Sequence, residues 1–191
     1  MSLFNDSSVA AQIYASGCER IPILGLTHTP SRALKDVSSQ LRGCSDEELL
    51  GGEIRDRAMA QSVRAGLLLR ADLDDESHTV SQDIPTPEGS YWHGIMHRRE
   101  PDYPNSKYWF RRVGDHGLFE TLPDVGADQP LSEPPFQQLV ESGRWDPYYF
   151  SELCASCVQG PRTDLREALE RLQAAEINAL FAYCARAALQ G

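Results

Sequence analysis

Helix-start signals recur along this 191-residue chain, and no segment shows the sustained two-residue alternation that a half-buried strand requires. Thr86 stands directly before Pro87, which places a capping side chain ahead of a proline at the first helical position. Ser45 is followed three residues later by Glu48, the spacing of a capping box. The sequence therefore predicts an all-α protein, a single irregular bundle of about eight helices that spans residues 1–191.

One segment departs from this helical pattern. Residues 121–135 hold four prolines and few apolar side chains, so we expect a long Pro-rich loop there. A loop of this length is either an ordered lid or a disordered segment, and the sequence leaves both open.

The charge balance restricts the partners of the chain. It has 28 acidic and 18 basic side chains, a net charge of -10, which argues against nucleic acid because phosphate binding needs a basic surface. The longest apolar runs fall far short of the roughly 20 residues that cross a membrane, so a membrane role is not expected. The sequence does not fix the oligomeric state.

The N-terminal residues contain neither a basic region nor an apolar run of the kind that forms a signal peptide. The five cysteines are an odd number at irregular spacing, which favours reduced thiols and a cytoplasmic location over a disulfide framework. Cys154 and Cys157 form a CxxC motif, but Pro147 predicts that the helix begins two turns earlier. We therefore expect both thiols to be buried in mid-helix rather than reactive at a helix N-terminus.

The segment from Tyr91 to His116 concentrates the residues that could carry chemistry. It contains three of the five histidines, two of the three tryptophans and two Arg-Arg pairs. Five basic and three acidic residues give the stretch 91–117 a positive charge within an acidic chain. Such an island attracts small anions or the acidic face of a partner, and the alternative is a solvated face with scattered ion pairs.

His93 and His97 are four residues apart on a predicted helix, so both imidazoles can reach one ligand or metal ion. Glu100 lies on the same side, at the edge of the face that should enter the core. Three interpretations remain open: a divalent metal site, a catalytic pair in which a histidine is the base and Glu100 orients it, or structural histidines. A metal site needs a third ligand, for which His78, His116, His28 or an aspartate is available.

Further side chains are predicted to line the same pocket as ligand-binding residues. His78 shares a helix face with Asp74 and Gln82, and each Arg-Arg pair should supply one inward arginine for a carboxylate or phosphate. The predicted ligand-binding residues are Arg98, His78, Gln82, Trp92, Asn105, Trp109 and Arg111.

The last predicted helix carries a carboxylate, Glu176, in the middle of a leucine stripe. A buried carboxylate is costly unless it is paired. We favour a structural pair with an arginine or histidine of the central stretch, and the alternative is an acid or base with a raised pKa.

Residues 92–114 read WHGIMHRREPDYPNSKYWFRRVG; His78 and Gln82 precede them, and WDPYYF follows at 145–150. These segments resemble a family of uncharacterised proteins that share the pattern W-H-x-I-x-H-R-x-E-x-D-Y-x-N. The resemblance covers about a third to a half of the chain and implies no particular reaction.

Two functional hypotheses follow. In the first, the chain binds a small anionic molecule or a divalent metal ion in this pocket, with histidine acid/base chemistry if it is an enzyme. In the second, it is a non-catalytic protein-interaction module, and the polar cluster is an internal network.

Overall fold

The computed structural model describes residues 8–15, 24, 32–125, 131 and 134–191, and all regular structure in these ranges is helical. The α-helices are α1 (Val9–Ala15), α2 (Arg32–Gly43), α3 (Asp46–Leu50), α4 (Arg57–Arg70), α5 (Asp74–Gln82), α6 (Pro87–Arg99), α7 (Tyr103–Val113), α8 (Leu118–Val125), α9 (Pro147–Val158) and α10 (Arg166–Gln190). Two 3-10 helices span Phe136–Val140 and Thr163–Leu165. The all-α prediction is confirmed, with ten α-helices in the described ranges rather than about eight.

The predicted helix starts are confirmed by their capping bonds. The Ser45 hydroxyl accepts from the backbone N–H of Glu48, and the Glu48 carboxylate accepts from the N–H of Ser45, which completes the capping box of α3. The Thr86 hydroxyl accepts from the backbone N–H of Gly89 at the start of α6. Each bond satisfies a backbone donor that the first turn leaves without a helical partner.

The predicted loop at 121–135 is partly wrong, because α8 continues to Val125. Pro123 has no N–H, so it cannot donate to the carbonyl of Phe119 four residues earlier. The backbone N–H of Trp145 donates to that carbonyl at 2.7 Å, and the proline is thereby accommodated inside the helix. Apart from residues 131, 134 and 135, the rest of the predicted loop lies outside the described residues.

Helix α6 occupies the centre of the fold. It packs against α4, α5 and α7, and every residue from Glu88 to Arg99 is buried. Trp92, Ile95 and Met96 face the core as predicted. Because the polar residues of α6 are buried as well, each of them needs a partner inside the protein.

One of these internal partners is Glu176 of α10. Its carboxylate accepts from the Arg98 guanidinium and, at 3.1 Å, from the Tyr91 hydroxyl. Arg98 also donates to the Gln173 side chain at 3.2 Å and lies 4.4 Å from the centre of the Phe150 ring. All of these side chains are inaccessible to solvent, so the favoured structural pairing of Glu176 is confirmed.

The CxxC cysteines are buried within α9, as predicted. Burial raises the pKa of the Cys154 thiol to about 12, which keeps it protonated and unreactive at neutral pH. The four cysteines in the described ranges form no disulfide, and Cys18 lies outside those ranges. Among the helices described, none is both long enough and apolar enough to cross a membrane.

Helices α4 and α6 approach closely at Gly66. A methyl group built at this position would lie 2.6 Å from the Trp92 ring, which is fully buried. We expect Gly66→Ala to lower the free energy of unfolding by about 1–3 kcal/mol, because the indole or the helix must move. Urea denaturation measures this effect. Gly117→Ala is the control, since its added methyl group meets no atom within 4 Å; an equal loss in both variants would contradict the packing account.

A candidate metal centre of three histidines

Helices α5 and α6 form an antiparallel hairpin joined by residues 83–86. His78 lies four residues before the last residue of α5, Gln82, and His93 lies six residues after the first residue of α6, Pro87. At a rise of 1.5 Å per residue they stand about 6 Å and about 9 Å from the connection. The short connection therefore places His78 and His93 at similar heights along the hairpin.

The three imidazoles meet between the two helices. One ring nitrogen from each of His78, His93 and His97 lies within 4.8 Å of the other two. The ring centres of His78 and His93 are 4.5 Å apart, those of His93 and His97 are 4.7 Å apart, and those of His78 and His97 are 5.3 Å apart. Of the candidates for a third partner that lie within the described residues, His78 is the one that joins the pair.

His93 is held by a tryptophan and a serine. The Trp109 ring stacks on its imidazole, with ring centres 3.9 Å apart and planes inclined by 32°. The Ser81 hydroxyl lies 3.3 Å from Nδ1 and donates its own proton to the backbone carbonyl of His78 at 3.2 Å. With its proton given to that carbonyl, Ser81 accepts from the Nδ1–H of His93, and this is the tautomer that leaves the lone pair on Nε2.

His97 has the same arrangement of proton and lone pair. Its Nδ1 lies 3.1 Å from a carboxylate oxygen of Glu100, which can only accept, so Nδ1 carries the proton. The side-chain amide of Asn105 donates to Nε2 at 3.0 Å. Asn105 thus stands at the ring nitrogen that a metal ion would bind.

The surroundings keep both histidines of α6 neutral. Burial, together with repulsion of the charged form by the nearby His97, His78 and Arg112, lowers the pKa of His93 to about 3. Burial also lowers the pKa of His97, although the Glu100 carboxylate opposes this effect. Both rings are therefore available as neutral nitrogen ligands at physiological pH, without proton release from these two residues.

The cluster is open towards solvent on one side. His93 and His97 are buried, whereas His78, Asn105 and Trp109 are only partly buried. The Glu100 side chain retains 38% of its exposed area. Three imidazoles are also the protein ligands of one class of catalytic zinc site, which keeps its fourth position for water or substrate.

Several residues predicted to line this pocket lie elsewhere. Arg98 is turned towards Glu176 and is inaccessible, so it cannot meet an external anion. Trp92 is a core residue over Gly66 rather than a pocket wall. Gln82 and Arg111 are exposed, and no hydrogen bond or ion pair joins either side chain to the cluster within the described ranges.

Among the described residues, His116 is the remaining histidine, and it does not join the cluster. His116 lies 3.3 Å from the Glu88 carboxylate through Nε2, and its Nδ1 accepts from the backbone N–H of Leu118. His28 lies outside the described residues. Asp74, which shares a helix face with His78, forms an ion pair with Arg99 at 3.1 Å instead of orienting the imidazole.

Sequence reasoning missed two residues at this site. Ser81, which fixes the proton of His93, is one turn beyond His78 on α5, a spacing that could have identified it. Arg112 was passed over in favour of Arg111, yet its guanidinium carbon lies 5.0 Å from the centre of the Trp109 ring. Adjacent helix residues point about 100° apart, so a choice between them needs the tertiary packing.

Comparison of this chain with protein-family models, curated proteins and solved structures finds no match. The resemblance of residues 92–114 and 145–150 to an uncharacterised family therefore stays a prediction. The functional conclusion depends on the geometry of the site alone.

Proposed function

We propose that this chain binds a divalent transition metal ion through His78, His93 and His97 and uses it as a Lewis acid on a small molecule. The observation that carries the proposal is the convergence of three ring nitrogens within 4.8 Å of one another. The hydrogen bonds of Ser81 and Glu100 support it, because a proton held on Nδ1 of each ring leaves Nε2 of His93 and of His97 as the nitrogen that can bind a metal ion.

Imidazole nitrogens favour zinc, copper, iron and nickel over magnesium or calcium. Nitrogen ligands lie about 2.0–2.1 Å from a tetrahedral zinc ion and therefore about 3.4 Å from one another. The three ring nitrogens, which lie within 4.8 Å of one another, must therefore approach by up to about 1.4 Å. His78 is partly exposed and lies on a short helix, which makes it the ligand best able to move. Asn105 must release Nε2 of His97 at the same time.

Metal-free base catalysis by His93 is less compatible with its surroundings. An efficient general base has a pKa near the working pH, whereas burial holds that of His93 at about 3. A metal ion bound to three neutral imidazoles would instead lower the pKa of a coordinated water to about 7. In this proposal the histidines are ligands, Glu100 positions His97, and the reaction class is hydrolysis or hydration.

The test is a titration of metal-free protein with Co²⁺, whose visible absorption reports tetrahedral nitrogen ligation, with elemental analysis of purified protein beside it. We expect one Co²⁺ or Zn²⁺ per chain and a loss of at least about 100-fold in affinity when any one of the three histidines is replaced by alanine. Circular dichroism of each variant checks that it is folded.

His116→Ala is the matched control, because His116 is a buried histidine outside the cluster. It should bind Co²⁺ as tightly as the wild-type protein. Wild-type protein that takes up no Co²⁺ or Zn²⁺, or a His97→Ala variant that binds as well as wild type, would overturn the proposal. The polar cluster would then be an internal network, as expected for an interaction module.

A further inference from the structure

Most cations on the central hairpin of helices α6 and α7 are neutralised by acidic partners. Arg98 pairs with Glu176, and Lys107 pairs with Glu152 at 2.9 Å. Arg99 pairs with aspartates at the start of α5. Within the described part of the chain, Arg111 and Arg112 form no ion pair with an acidic side chain. They are thus the two cations of this hairpin that remain available to an external anion.

Arg112 differs from Arg111 in its position relative to the histidines. Its guanidinium lies over the Trp109 ring, 5.0 Å from the ring centre, and the same indole stacks on His93 at 3.9 Å. The proximity is also evident electrostatically, since Arg112 contributes to the lowered pKa of His93. A guanidinium stacked on an aromatic face keeps its N–H edge free for bidentate bonding to a carboxylate or phosphate.

The opposite side of the cluster is acidic. Glu100 contacts Nδ1 of His97, and Asp102 lies close enough to raise the pKa of that histidine. A ligand with one anionic group would be repelled on the His97 side and attracted on the side of Trp109 and Arg112. The charge distribution therefore orients a small anion rather than merely concentrating it.

We propose that the substrate of this site is a small molecule with a carboxylate or phosphate group, which binds Arg112 while its reacting part occupies the open position at the three histidines. Trp109 forms the wall between these two contacts. The inference rests on the proposed metal site and adds its substrate class. A nucleic acid does not fit, because the chain carries a net charge of -10 and two adjacent exposed arginines do not make a basic surface.

The test uses protein loaded with Co²⁺ and two probes, inorganic phosphate and acetate, each followed by the change in visible absorption of the metal. We expect at least one probe to bind, and Arg112→Ala to raise its dissociation constant about 10-fold to 100-fold, the loss of one charge-assisted contact. The affinity for Co²⁺ itself should be the same in this variant. The probe that binds more tightly identifies the group as phosphate or carboxylate.

Arg111→Ala is the matched control, since it removes an adjacent exposed arginine that does not contact Trp109. Its dissociation constants should equal those of the wild type. The substrate class alone would be overturned if Arg112→Ala bound both probes as tightly as the wild type, or if neither probe bound to the Co²⁺ protein. Failure of Co²⁺ to bind would overturn the metal site and this inference together, and the same titration separates the two results.

Discussion

Replacing Glu176 with alanine is expected to lower the free energy of unfolding by about 3–5 kcal/mol. The variant leaves the Arg98 guanidinium charged and without a counter-ion in a position that solvent does not reach. It also removes the acceptor of the Tyr91 hydroxyl. A buried cation with no partner is among the most destabilising changes a helical core can undergo, and urea denaturation followed by circular dichroism measures the loss.

Two further variants make this expectation specific. Glu152→Ala breaks the exposed ion pair with Lys107 and should cost at most about 1 kcal/mol. The double variant Arg98→Met with Glu176→Leu should recover most of the lost stability, because it removes both charges and keeps the volume. A double variant no more stable than Glu176→Ala would show that the loss comes from packing rather than from the unpaired charge.

Saturation with zinc is expected to stabilise the metal-free protein by about 4 kcal/mol at a free concentration 1,000 times the dissociation constant. For a chain of this size that corresponds to a rise in melting temperature of about 10 °C. The physical reason is that the three ligands come together in the folded hairpin of α5 and α6 and are separated in the unfolded chain. Thermal unfolding with and without added zinc measures the shift.

One variant and one other ion serve as controls for this zinc shift. His93→Ala should lose at least about two thirds of this stabilisation, because a site weakened about 100-fold leaves zinc at no more than about 10 times its dissociation constant. Magnesium at equal concentration should leave the wild type unchanged, since Mg²⁺ prefers oxygen ligands. An equal rise with magnesium, or a full zinc shift in His93→Ala, would mean that the ion acts elsewhere on the chain.

The helix starts could be predicted because their causes are local. Ser45 and Thr86 satisfy backbone donors within four residues of themselves, so neighbouring letters of the sequence contain the whole interaction. The pairing of His93 and His97 has the same local origin, one turn of helix. The end of α8 could not be predicted in this way, because the group that accommodates Pro123 is the backbone of Trp145, distant in sequence.

The extent of burial of the two Arg-Arg pairs could not be predicted from the sequence. We expected each Arg-Arg pair to supply one inward side chain, as on a helix with one buried face. That prediction is wrong for both pairs: Arg98 and Arg99 are both fully buried, and Arg111 and Arg112 are both exposed. Helix α6 is surrounded by other helices and α7 is not, a difference that depends on the packing of the whole chain.

The position of His78 was foreseeable only in part. Its helix and the short connection to α6 could be predicted from Thr86 and Pro87, and together they imply antiparallel neighbours. Whether the face that Asp74 and His78 share turns towards α6 depends on the rotation of α5 about its axis. The ion pair of Asp74 with Arg99 fixes that rotation, and the burial of Arg99 was not predicted.

The short connection of the α5–α6 hairpin also bears on how the site is assembled. All three ligands fall within residues 78–97, so a bound ion would close a short loop, and the entropy lost on loop closure grows with loop length. The ligands meet through contacts between neighbours in sequence, which form early and rapidly compared with distant ones. A metal ion would therefore stabilise the contact between these two consecutive helices before the long-range pair between Arg98 and Glu176 has formed.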